Sequence, residues 1–187
     1  MKHFSHLNTA IQLIQHYRGE MPFSIYLKSF FSKHKKHGSK DRKRIGHLCY
    51  SFFRLGKSLQ THSIEEKILI GSFLCGRQND DLLQQLKPNW NANINSTIDE
   101  KISLLLQENI SFSPAGIFPW KDALSYGIDH EQFSRSFLTQ PDLFLRIRPG
   151  HEKTVRQKLG DAGMMFSEIS HFTIALPNAS KIDSVLL

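Results

Sequence analysis

The densest group of chemically competent side chains in this sequence is the run Lys33-His34-Lys35-Lys36-His37-Gly38-Ser39-Lys40-Asp41-Arg42-Lys43-Arg44. Between Lys28 and Lys57 ten Lys and Arg residues face a single acid, Asp41, so this stretch carries +9 while the rest of the 187-residue chain sums to −2. Positive charge concentrated in one patch suits a polyanion, because each neutralised phosphate releases condensed counterions. The run crosses a helix end, a glycine break and the start of the next helix. Basic side chains then project from a turn, and unpaired backbone N–H groups at that helix start can receive an anion. Candidate RNA contacts are Lys33, Lys35, Lys36, Lys40, Arg42, Lys43 and Arg44, with Arg54 further along the same helix. A solvated charged surface has the same composition, and both readings stand at this point. Asp41, in the first helical turn, is expected to favour the helix dipole and to pair with Arg44 or Arg42.

A second candidate group is Arg146 and Arg148, which alternate with Leu145 and Ile147 on a predicted strand. Their face either reads RNA or is the wet side of an edge strand. The histidine pairs His3/His6 and His34/His37 lack Cys or acids at ligand spacing, so no metal site is expected, and these side chains read as solvated or facing nucleic acid. Cys49 and Cys75 stand singly in apolar stretches, which points to buried reduced thiols rather than a disulfide or a nucleophile. No Walker loop and no G-x-G-x-x-G follows a strand.

These groups need elements to position them. Leu7, Ala10, Ile11 and Ile14 give a helix over about 6–17; Phe23, Leu27, Phe30 and Phe31 give another, opened by Pro22 and closed at His37-Gly38. A third starts with Ser39 as N-cap and turns Ile45, Leu48, Cys49, Phe52 and Phe53 inward. Ser63 and Glu66 have capping-box spacing before a fourth helix with Ile68, Leu69, Phe73 and Leu74; Asn79 is expected to cap a short one ending before Pro88. Further helices are predicted from Thr97 to Gln107 and from Asp129 to Leu138. From Pro141 the pattern becomes a β-α-β-β unit, with strands near 143–148, 166–169 and 172–176 and a helix over 151–161. No window is apolar enough for a membrane span and no secretory signal opens the chain, so a cytoplasmic protein is expected.

The order Thr9-Ala10-Ile11, Pro22-Phe23-Ser24-Ile25-Tyr26-Leu27, then Asp41-Arg42 with Ile45, Leu48, Tyr50 and Arg54 resembles the helical NusB-like domain fused to Sun/Fmu-type RNA (cytosine-5)-methyltransferases. The tail Gln140-Pro141-Asp142-Leu143-Phe144-Leu145-Arg146-Ile147-Arg148-Pro149 resembles the segment that precedes their catalytic domain, usually L-R-V-N-P, with Arg148 in place of the asparagine. The resemblance runs over essentially the whole chain through the order and spacing of short motifs.

It implies a mainly α fold: a NusB-like helical bundle over residues 1–130, then a linker helix and small α+β module over 131–187, preceding a methyltransferase domain absent from this sequence. The family's S-adenosylmethionine site uses an A-P-G-G-type loop and its cysteines lie in Pro-Cys and Thr-Cys contexts; neither occurs here. No catalytic, cofactor-binding or metal-binding residue is therefore carried over, and the end of the sequence at Leu186-Leu187 suggests a fragment. The expectation is the RNA-binding part of a ribosomal RNA (cytosine-5)-methyltransferase whose missing half binds S-adenosylmethionine. The other reading is a free-standing NusB-like antitermination or ribosome-assembly factor, against which the β-rich tail argues.

Overall fold

The computed structural model describes residues 2–178 and 180–186, which form two units, one up to Thr139 and one from Gln140. The first unit is helical: α1 (Lys2–His16), α2 (Phe23–Lys33), α3 (Ser39–Arg54), α4 (Ile64–Cys75), α5 (Asp81–Leu86), α6 (Pro88–Ala92), α7 (Ile98–Gln107) and α8 (His130–Ser136). Two 3-10 turns, Pro114–Gly116 and Lys121–Ala123, lie between α7 and α8. The piece expected to link the units is thus α8, and it belongs to the helical unit, packed on the Pro114–Gly116 turn.

α4 is the centre of this unit. Its start is fixed by the expected capping box, with Ser63 Oγ accepting from the Glu66 N–H and the Glu66 carboxylate accepting from the Ser63 N–H. Ile68 through Leu74 are all buried, because α1, α3, α5 and α7 surround the helix. Gly71 permits the closest of these approaches: a Cβ there would lie 2.3 Å from the Ser51 carbonyl oxygen, so α3 and α4 meet backbone to backbone. Around them Leu7, Leu13, Ile45, Leu48, Ile68, Phe73, Leu82 and Trp90 make one apolar core. Cys49 lies in that core, where burial raises its thiol pKa to about 12.

The second unit runs β1 (Leu143–Arg146), α9 (Glu152–Asp161), β2 (Ser167–Ser170), β3 (Thr173–Leu176) and a short α10 (Asp183–Leu186). The chain order is the expected β-α-β-β, with α10 added. The strands form an antiparallel sheet in the order β1-β3-β2, Leu145 opposite Ile174 and Arg146 opposite Thr173. Ile147, Leu159, Ile174 and Leu176 make its separate core. Among the described residues no helix is long and apolar enough to cross a membrane.

Candidate nucleic-acid interface

The turn between α2 and α3 is built from three elements. α2 closes on His34, whose N–H donates to the Phe30 carbonyl at 3.0 Å. The N-cap of α3 is Gly38 rather than the expected Ser39; its N–H donates to Asp41 Oδ2 at 3.0 Å. Gly38 has extended backbone, φ −68° and ψ 172°, which any residue adopts, so α3 begins here without needing glycine's freedom. The other Asp41 oxygen, Oδ1, lies 3.0 Å from Nε2 of the buried His6 on α1. The acid inside the basic run therefore joins the turn to α1.

Beneath the turn sit aromatic rings. His34 stacks on Phe30 with ring centroids 4.2 Å apart, and His37 is buried edge-on to Phe31 at 5.8 Å. Burial, aided by the charge of Lys36, lowers the pKa of His37 from its ordinary 6.5, so at neutral pH its imidazole is uncharged. His37 is thus a packing residue of the turn, where a solvated or nucleic-acid-facing side chain was expected.

On this base Lys33, Lys35, Lys36, Lys40 and Lys43 are all exposed, and among the described residues no carboxylate pairs with any of them. Arg42 is exposed as well. Its Nε donates to the His37 carbonyl at 2.8 Å and its guanidinium lies over the Phe31 ring at 5.8 Å, which holds the side chain while its terminal nitrogens have no hydrogen-bond partner among the described residues. Six of the eight candidates on the helical unit therefore lie between the last residue of α2, Lys33, and the fifth residue of α3, Lys43.

Arg44 and Arg54 do not belong to this group. Arg44 grips Asp80 with both terminal nitrogens, Nη1 at 2.6 Å and Nη2 at 2.5 Å, rather than pairing with Asp41. Asp80 is also the N-cap of α5, where Asn79 was expected: its Oδ1 accepts from the N–H groups of Leu82 and Leu83. Burial opposes the charge on Asp80, but Arg44 and these N–H groups outweigh it and hold the carboxyl below its ordinary value. Arg54 ends α3, roughly 20 Å along the helix from Lys40. Its Nη1 donates to the Phe137 carbonyl at 3.1 Å, which ties α3 to the end of α8.

In the second unit β1 is an edge strand, with Leu143, Leu145 and Ile147 turned inward and Phe144, Arg146 and Arg148 outward. Arg146 and Arg148, with His151 and Lys158 of the following turn and helix, line a cavity of about 330 Å³. Sequence reasoning missed His151 and Lys158. The signal was present, since positions seven apart lie on one face of a helix. Compared with family models, with curated proteins and with solved structures, the chain matches none of them.

Proposed function

We propose that the chain is an RNA-binding module that engages phosphates through the α2–α3 turn. One observation carries the reading: five exposed lysines, without acidic partners among the described residues, and an anchored Arg42 stand on a turn braced from below by His37 and from α1 by His6. Solubility alone needs charges of both signs, interspersed. A preorganised cluster of one sign lowers the ordering cost of binding a polyanion. The outward face of β1, with Phe144 exposed beside Arg146, adds a stacking surface next to a cation of the kind single-stranded RNA uses.

Within this reading the chain is the recognition portion of a ribosomal RNA (cytosine-5)-methyltransferase of the Sun/Fmu type, a cytoplasmic protein with a NusB-like first domain. The resemblance of sequence order supports that finer assignment, as does the succession of a helical unit and a β-α-β-β unit. The methyl donor, S-adenosylmethionine, belongs to the remainder of such an enzyme. The described residues do not fit it: the β1–α9 connection, Ile147-Arg148-Pro149-Gly150-His151, lacks a glycine-rich loop. The cavity beside it is lined by cations that would repel the cofactor's sulfonium. No catalytic step is assigned to this chain.

The test is a titration of the isotope-labelled chain with a short single-stranded RNA, followed by backbone amide shifts. The reading expects the first and largest changes at Lys35 to Lys43. Changes confined to other surfaces, or none at micromolar RNA, would remove the turn as the binding site.

A further inference from the structure

Lys101, on the second turn of α7, is 3% exposed, yet among the described residues no carboxylate partners it. Its Nζ donates to one acceptor, the Gly76 carbonyl at 2.7 Å, and lies 5.4 Å from the Phe73 ring centroid. An ammonium has three donors, and lysine is rarely buried without a counter-charge. Burial pushes the pKa of Lys101 down, as expected of a cation removed from water without full compensation.

The same side chain lines a cavity of about 340 Å³ in the helical unit. Its polar lining is Arg77, Asn95, Ser96, Thr97, Lys101 and Thr139, and it includes no Asp or Glu. The nearby acids are engaged elsewhere: Asp99 pairs with Arg135 at 2.7 Å, and Glu100 accepts from the N–H and hydroxyl of Thr97. Both Asp99 and Glu100 line a different cavity, with Ser103 and Gln107. What remains around Lys101 is a recess with two cations and neutral donors, the inverse of a metal site and the composition that an oxyanion requires.

We propose that the Lys101 cavity is a phosphate-binding site, in which the anion supplies the counter-charge that the protein withholds from the buried ammonium. Arg77, exposed on the rim, closes on the anion from outside, while Ser96, Asn95 and Thr139 supply neutral donors. Two cations match a phosphate group better than a single carboxylate. The group arrives either as a free phosphate ester or as a phosphodiester of an RNA strand. The site is independent of the α2–α3 turn, since it rests on none of that turn's residues.

The experiment uses the full chain and inorganic phosphate, with chloride at equal ionic strength as the control, read by amide shifts of Gly76, Arg77, Ser96 and Thr97. Saturable shifts at these positions are expected. They should weaken at least tenfold in Lys101→Gln, whose amide still donates toward Gly76. Because Lys101 is buried, Arg77→Gln provides a second variant at an exposed position, expected to weaken binding about threefold without altering the circular dichroism spectrum. A short RNA that competes for the same shifts identifies a phosphodiester as the natural ligand. An RNA that leaves them unmoved while phosphate saturates them identifies a free ester. Amides that do not respond to phosphate, or respond equally in wild type and both variants, would overturn the site and leave Lys101 as a cap for the C-terminus of α4.

Discussion

His6 Nε2 on α1 and Asp41 Oδ1 on α3 lie 3.0 Å apart, while the second Asp41 oxygen accepts the N–H of Gly38. The acid in the middle of the basic stretch is therefore the residue that fixes the stretch in place. A cluster of like charges is held together by one opposite charge set beneath it.

Asp41→Asn separates the two roles of that carboxylate. The amide oxygen can still accept from Gly38, so the helix start persists, but a charge of −1 leaves the centre of the cations. Unfolding in urea should show a loss of about 1 kcal/mol. Affinity for RNA at low salt should rise about two- to threefold, since one repulsion is gone. Weaker binding in a folded variant would mean that the uncharged amide cannot replace the carboxylate in holding the turn to α1.

Lys43 and Arg44 are neighbours on α3 with opposite assignments. Lys43→Gln should leave stability within about 0.5 kcal/mol of wild type and lower the salt slope of RNA binding. Arg44→Gln should do the reverse, costing about 2–3 kcal/mol through the lost grip on Asp80 while the slope stays unchanged. Denaturant unfolding and fluorescence anisotropy on the same two proteins decide it, and equal effects on either readout would refute the division.

The Arg44–Asp80 pair also sets an acid limit. The folded-state pKa of Asp80 lies below its ordinary 3.8, so protons bind preferentially to the unfolded chain. The stability contributed by the ionised carboxylate is complete above 3.8 and drains as pH falls through the folded value. Asp80→Asn retains a cap acceptor but not the charge. It should be less stable than wild type by about 2 kcal/mol at pH 7, and the gap should shrink steadily below pH 4. A gap constant from pH 7 to pH 3 would show that the ion pair does not contribute.

Local signals were legible in the sequence, and tertiary choices were not. The Ser63/Glu66 box appears as expected, and Thr97 caps α7 through Glu100, because each is a bond across three residues. The strand alternation that turns Leu145 and Ile147 inward and Arg146 and Arg148 outward is equally local. Asn79 and Asp80 are both competent caps, and the choice fell to Asp80, which Arg44 reaches from 36 residues away. Pro88 was read as a stop because proline cannot continue a helix, but it also opens one, and here it begins α6. In the candidate site the exposed lysines were readable from charge density alone. The roles of His6, Arg44 and Arg54 were not, since each is set by a partner at least 35 residues distant.

The central claim is that RNA is held by phosphate contacts from the α2–α3 turn. It is tested most directly by the salt dependence of RNA affinity in wild type and in a variant with Lys35, Lys36, Lys40 and Lys43 changed to alanine. All four side chains are exposed, and none carries core contacts, so the variant should fold as wild type does. Arg42 is retained because it also braces the His37 carbonyl. Plotted as log affinity against log salt, the variant's slope should be shallower by up to about 0.7 for each phosphate contact removed, with affinity at low salt reduced at least tenfold. A folded variant that keeps both the wild-type slope and the wild-type affinity would contradict the account and return the turn to the status of a solvated surface.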